Sequence, residues 1–175
     1  MMKLKGKKVL MLIASNNFRD EEYLEPKSLF LGAGAEVVTA SSSLSVSTGM
    51  LGAEVKPDTL ISGISQAGYD AIVLVGGTGA SEYWGSGTVH KLLSDFNASG
   101  KIIAAICIAP VTLAHAGLLK GKKATVWLSE KLVLLQMGAK YTGCEVETDG
   151  NIITGNGPQA AKKFGEKVIS ALSGQ

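Results

Sequence analysis

Short apolar runs alternate with longer amphipathic stretches along the chain, the pattern of repeated βαβ units. Lys8 to Ala14 reads as a first buried strand. Glu21 to Leu31 reads as a helix in which Pro26 marks a first turn or a kink, and Gly32 and Gly34 end it. Glu36 to Ala40 is a second strand, the serine-rich Ser41 to Ser47 a loop, and Gly49 to Val55 a short hairpin or edge strand. Ala71 to Val75 is a buried strand closed by Gly76-Gly77-Thr78-Gly79. Gly87 to Ser99 is a helix whose Val89, Leu92, Leu93 and Phe96 share one face. Ile102 to Ile106 is the most apolar strand, and such an unbroken run predicts a central place, covered on both faces. A helix from Pro110 to Ala116, a short strand at Ala124 to Val126 and a helix from Glu130 to Met137 follow. Asp149-Gly150-Asn151 joins Glu145 to Thr148 with Ile152 to Thr154 as a hairpin. The final helix starts at Gly157-Pro158 and carries Ala161, Phe164, Val168 and Leu172 on one face. The expectation is one α/β domain over residues 1–175, a doubly wound, mostly parallel sheet with helices on both faces.

Hydrophobic residues make up 46% of the 175, enough for a substantial core, and aromatics at 6% leave that core to Val, Ile, Leu and Ala. The 17 basic and 15 acidic residues give a formal charge of +2, and most of the excess is a lysine cluster within Met1 to Lys8. No other segment concentrates Lys and Arg, and no aromatics interleave with these lysines, so nucleic acid is not expected as a partner. The apolar run Val9 to Ala14 is shorter than the core of a secretory signal and stops at Ser15-Asn16-Asn17. No other run is long enough to cross a membrane. A cytoplasmic protein is therefore expected. Two cysteines, Cys107 and Cys144, make neither a disulfide framework nor a metal cluster, and His90 and His115 stand beside no second ligand. The glycine run lacks the spacing of a dinucleotide fingerprint, and no Gly-Lys-Ser/Thr follows it. Neither metal nor cofactor is expected.

In open α/β sheets ligands bind beyond the carboxyl ends of the strands. Three stretches fall there, Ser15 to Glu22, Gly76 to Ser81 and Cys107 to Pro110, and they converge if their strands are neighbours. Cys107 ends an apolar strand, starts a helix and has Ala105 and Ala109 two residues away on each side. A nucleophile elbow needs such small flanking residues. The positive end of the following helix favours thiolate, and the Ile108 amide faces charge developing on a bound carbonyl. The same pattern fits a core thiol, since free Cys is among the most buried residue types. Asp20-Glu21-Glu22 opens a helix, where acidic residues compensate the dipole, and one of them is also placed to exchange a proton with the sulfur. The glycine run suits close backbone approach, with Gly77 as a second oxyanion donor, or a plain strand-to-helix turn. His115 lies two helical turns past Cys107 and points elsewhere. His90 rides a partly exposed helix, and Cys144 reads as a surface thiol.

Gly76-Gly77 after an apolar strand, then Ala104-Ala105-Ile106-Cys107-Ile108-Ala109-Pro110, resemble the ThiJ/PfpI superfamily of deglycase, chaperone, intracellular protease and stress proteins. The likeness extends to Lys8-Val9-Leu10, to Glu22-Tyr23-Leu24-Glu25-Pro26, and to Asp149 through Thr154 with Gly157-Pro158. It implies a flavodoxin-like three-layer sandwich, related to class I glutamine amidotransferases, in a homodimer or higher assembly. It also implies a nucleophilic, oxidation-prone Cys107 and an oxyanion site made by the Gly77 and Ile108 amides. The family glutamate lies four residues before a proline, which selects Glu22. Gly76, Asn16, Trp127 and Pro158 are the expected pocket residues. Protease-like members have His directly after the cysteine, where Ile108 stands here. Deglycase-like members often place His on the strand after the elbow helix, where the nearest match is Trp127. Without a Cys-His dyad, peptide hydrolysis is disfavoured. The function implied is attack by Cys107 on small reactive carbonyls or glycated groups. The alternatives are a redox sensor or chaperone without turnover, and an intracellular cysteine peptidase or amidase taking His90 from a neighbouring subunit.

Overall fold

The computed structural model describes residues 2–174; Met1, at the head of the lysine cluster, and Gln175 lie outside them. The chain begins β1 (Lys8–Leu12), β2 (Asn16–Phe18), α1 (Asp20–Gly32), β3 (Glu36–Ser41), β4 (Ser47–Gly49), β5 (Glu54–Val55), β6 (Thr59–Leu60) and β7 (Ala71–Leu74). It continues α2 (Gly87–Ala98), β8 (Ile102–Ile106), α3 (Pro110–His115), β9 (Lys123–Ala124), α4 (Lys131–Gln136), β10 (Lys140–Tyr141), β11 (Val146–Asp149), β12 (Ile152–Gly155) and α5 (Ala161–Leu172).

One seven-stranded sheet has the order β11-β12-β8-β7-β1-β3-β6. Its strands pair in parallel, except for the β11–β12 hairpin. Side chains alternate across the pleat, so each apolar strand feeds two cores. Leu10, Leu12, Ile72, Leu74 and Ile103 pack with Val89, Leu93 and Phe96 of α2 and Val111 of α3. Val9, Met11, Val73, Ala104 and Ile106 pack with Tyr23 and Phe30 of α1 and Phe164 and Val168 of α5. The result is a flavodoxin-like three-layer sandwich. Cys107 belongs to the α1–α5 side.

Strand β8 is interior, but β7 holds the middle place; apolar content reports coverage, not order across the sheet. The strand read at Ala124 to Val126 is shorter and outside the main sheet, since only Lys123–Ala124 pairs, with β10. The final helix begins with a 3-10 turn, Pro158–Ala160, so α5 proper starts at Ala161. The Gly49 to Val55 region is a hairpin, β4 with β5, and β2 joins it in a three-stranded sheet. Strand β2 has three residues, two of them asparagines, which is too short for a periodic signal. Among the described residues no helix is long and apolar enough to cross a membrane.

Candidate active site

The parallel strands change direction of progression at β1, with β3 on one side and β7 then β8 on the other. The crevice outside the carboxyl ends at such a reversal is where these sheets bind ligands. All three stretches after β1, β7 and β8 meet there. The Arg19 amide donates to the Gly76 carbonyl at 2.9 Å. The Gly76 amide in turn donates to Glu22 Oε2 at 2.9 Å. A Cβ on Gly76 would collide with that oxygen and lie 2.5 Å from Cys107 Cβ and 2.7 Å from the Ile106 carbonyl oxygen. Glycine at this position is what lets the carboxyl and the thiol share one small space.

Cys107 has φ +64°, a left-handed backbone that a non-glycine residue adopts at a cost of about 1–2 kcal/mol. Its neighbours hold it there. The Cys107 amide donates to Gly155 O at 2.9 Å, and its carbonyl accepts from the Trp127 amide at 2.8 Å. Ala105 and Ala109 are buried tightly on either side, as the elbow pattern requires. Strain fixed from several directions is a common mark of a functional turn. The residue keeps 8% exposure, enough to reach a cavity of about 180 Å³ lined by Arg19, Met50, Gly77, Thr78, Cys107, Ile108, Trp127 and Pro158.

The three acidic residues do three different things. Asp20 is buried and accepts from the Leu51 and Ala53 amides, both at 2.8 Å, pinning the hairpin that carries Met50. Glu21 pairs with Arg19 through two bonds, to Nε at 2.8 Å and to Nη2 at 3.1 Å. Glu22 is fully buried, and Oε1 has no hydrogen-bond partner among the described residues. Burial pushes the Glu22 carboxyl up to about 8, opposed by the neighbouring Cys107 thiol and the Gly76 amide, so the protonated form predominates at neutral pH beside a minor ionised one.

The thiol departs from the expected thiolate. Burial, then the charge Glu22 carries when ionised, push Cys107 up to about 12, while the nearby Gly77 and Ile108 amides pull the other way. The following helix α3 is only six residues long, and its dipole does not overcome desolvation. With Glu22 protonated, its Coulomb repulsion of the sulfur is absent and the pair titrates as a unit.

Of the sequence-predicted residues, Cys107, Gly77, Ile108, Trp127 and Pro158 line the cavity, and Glu22 sits behind the thiol. Gly76 is behind the wall, between Glu22 and Cys107. Asn16 is not in the pocket: its carbonyl lies against Gly79 from strand β2, and its residue is exposed. Trp127 also walls a second hollow of about 500 Å³ with Leu128, Tyr141 and Gln159. Arg19, Met50 and Thr78 were not foreseen as lining residues. Arg19 lies within the Ser15 to Glu22 stretch, so its charge was the available signal; Met50 arrives through the Asp20-pinned hairpin, which no local pattern announces. Neither histidine lines the cavity: His90 Nε2 bonds the Trp84 carbonyl at 2.8 Å, and His115 is exposed at the end of α3. No group of three or more His, Cys, Asp or Glu that could hold a metal occurs among the described residues.

A strained cysteine on a strand-to-helix turn, backed by a buried carboxyl in a flavodoxin-like sheet, defines a class of cysteine-elbow proteins. The chain belongs to the DJ-1/PfpI family, whose model matches residues 7–171. An uncharacterised protein of Methanocaldococcus jannaschii is 41% identical over 97% of this chain and 84% of its own length. The deglycase PfpI of Pyrococcus furiosus is 30% identical over 85% of this chain and 90% of its own. A glutathione-independent glyoxalase of Caenorhabditis elegans is 27% identical, with 96% and 90% covered. The crystal structure of a ThiJ/PfpI domain protein from Brachyspira murdochii matches with a TM-score of 0.93 at 30% identity, covering 96% of this chain and 97% of that one.

Proposed function

We propose that this protein is a cysteine-dependent enzyme acting on small reactive carbonyls, with Cys107 as nucleophile and Glu22 as proton carrier. The single observation that carries the reading is a buried carboxyl set beside the cysteine, both against Gly76, at the floor of a small cavity. At about 180 Å³ the cavity is below the roughly 300–1,000 Å³ of sites for drug-sized ligands, which suits an aldehyde of a few heavy atoms. Relatives named as a deglycase and a glyoxalase support the same chemistry.

In the first step the sulfur bonds to the carbonyl carbon and the carbon–oxygen π bond breaks. Glu22 takes the thiol proton on one oxygen while its own proton passes to the carbonyl oxygen, giving a neutral hemithioacetal. The Gly77 and Ile108 amides, which face the sulfur in the resting site, serve as donors to the carbonyl oxygen as charge develops there. With an α-oxoaldehyde, Glu22 then releases its proton to water, removes the carbon-bound proton and returns it to the neighbouring carbon, while the hydroxyl proton moves to the neighbouring oxygen. Glu22 regains its proton from water when the cycle closes. The resulting thioester is cleaved by water to a hydroxy acid and free thiol. A carboxyl near 8 populates both states around neutral pH, as such a shuttle needs. The test is methylglyoxal consumption by wild type and Cys107→Ser: the variant is expected to lose it, and equal rates overturn the reading.

A redox role is favoured by one further observation, the protonated Glu22 available to donate a hydrogen bond to an oxidised sulfur. Mild peroxide should then oxidise Cys107, and mass spectrometry finding the oxygen on Cys144 instead would sink that role. The peptidase reading is weaker, since no imidazole lines the cavity. Homo-oligomerisation draws support from exposed Trp127, Leu128, Leu132 and Leu135 beside the site, and sedimentation equilibrium would test it.

A further inference from the structure

Arg19 is the one charged side chain among the eight residues lining the Cys107 cavity, and the carbonyl chemistry above does not use it. Its main chain is tied to Gly76 and its side chain to Glu21, through Nε and Nη2. That clamp holds the planar guanidinium in place with 28% of the side chain exposed, so a ligand would find it already ordered. Nη1, with two N–H donors, takes no part in the Glu21 contact. The remaining wall (Met50, Ile108, Trp127 and Pro158 with Gly77 and Thr78) offers no competing charge. The positive charge is close enough to interact with both Glu22 and Cys107.

We propose that Arg19 makes the site selective for carbonyl compounds that carry an anion, specifically α-oxoaldehydes bearing a carboxylate, which the guanidinium holds while Cys107 meets the aldehyde carbon. A carboxylate is chosen over a bulkier phosphate because the cavity is small and the planar fork matches a planar anion. Glu21 competes for the same guanidinium and so tunes the preference. The inference rests on Cys107 being the reactive group, as proposed above.

The test separates anion recognition from turnover. Cys107 and Cys144 are alkylated in the same sample with iodoacetate or with neutral iodoacetamide, and each peptide is followed by mass spectrometry. In either reaction the sulfur–carbon bond forms, the carbon–iodine bond breaks, iodide leaves and the thiol proton passes to solvent. The iodoacetate-to-iodoacetamide rate ratio at Cys107 is expected to exceed that at Cys144 by about tenfold, the size of one charge-assisted contact at a partly exposed site. Arg19→Gln should remove that excess, Arg19→Lys should keep part of it, and Glu21→Gln should enlarge it, with thermal melting to confirm that each variant folds. Equal ratios at the two cysteines in wild type, or a Cys107 ratio indifferent to Arg19→Gln, overturn the proposal. In turnover, Arg19→Gln should lower the kcat/KM of dioxovalerate, an α-oxoaldehyde ending in a carboxylate, about tenfold more than that of methylglyoxal. A charge-dependent ratio in a protein that leaves methylglyoxal untouched keeps anion recognition and discards the carbonyl reaction. Consumption of methylglyoxal with a ratio blind to Arg19 does the reverse.

Discussion

Cys107 and Cys144 occupy opposite kinds of ground. Cys107 ends a buried strand, with a left-handed backbone held at both its amide and its carbonyl, a carboxyl behind it and a cavity in front. Cys144 lies exposed between β10 and β11, its amide bonded only loosely, at 3.4 Å, to Thr142 Oγ1. Accessibility alone would select Cys144 as the reactive thiol. The proposed mechanism rests instead on Cys107, which has a buried carboxyl behind it and a cavity in front, while exposure decides only how easily a thiol is reached.

The comparison breaks most sharply by removing each thiol in turn. Cys107→Ala should lower methylglyoxal consumption at least about a thousandfold, the usual scale for deleting a nucleophile, whereas Cys144→Ala should leave it within about twofold. Similar losses from both would mean that the strained turn confers nothing. Next in size is Glu22→Gln, which keeps an acceptor for the Gly76 amide but cannot ionise. Its kcat should fall about a hundredfold, in line with loss of a general acid–base group.

The same variant has a signature in stability. Glu22 is raised from 4.5 to about 8 on folding, so between those values the folded chain holds a proton that the unfolded chain has released. Stability is full below the lower value and is lost as pH rises through the upper one, with a slope approaching about 1.4 kcal/mol per pH unit inside that window. Denaturant midpoints of wild type should therefore decline from pH 5 to pH 8, and those of Glu22→Gln should not decline by this route. A flat wild-type profile would mean that Glu22 is ionised beside the sulfur. Gly76→Ala follows, expected to cost about 1–3 kcal/mol, because the added methyl meets Glu22, Cys107 and the Ile106 backbone at once.

Sequence reasoning was strongest where a side chain answers to its own neighbours. Parallel strands covered on both faces must be apolar throughout, so β1, β7 and β8 stood out, and Ala105 and Ala109 marked the turn around Cys107. Glu22 was distinguished from Glu21 only through its spacing to Pro26 in the family pattern. What was hidden depends on distant partners. Strand β2 is made by pairing with β4, not by its own Asn-rich composition. Arg19 and Met50 reach the cavity through Glu21 and through a hairpin more than 30 residues away. The ionisation of Cys107 was misjudged because helix position is visible in sequence and the depth of burial is not.

That hairpin offers the mildest way to sharpen the contrast between the two thiols. Met50 lines the cavity in front of Cys107 because Asp20 holds the turn through Leu51 and Ala53, and the methionine sulfur also accepts the Thr78 amide at 3.5 Å. Nothing comparable covers exposed Cys144. Asp20→Ala leaves two backbone amides to water and should cost about 1–2 kcal/mol in stability. It leaves Cys107 and Glu22 in place while loosening that wall. The expected kinetic result is a rise of about threefold in the KM for methylglyoxal with kcat little changed, since a loosened wall weakens binding without touching the reacting groups. Alkylation of Cys107 by iodoacetamide should quicken by a similar factor while Cys144 reacts as before. If both thiols stay unchanged, Met50 is only a neighbour of the cavity, and the protection of Cys107 comes entirely from the sheet beneath it.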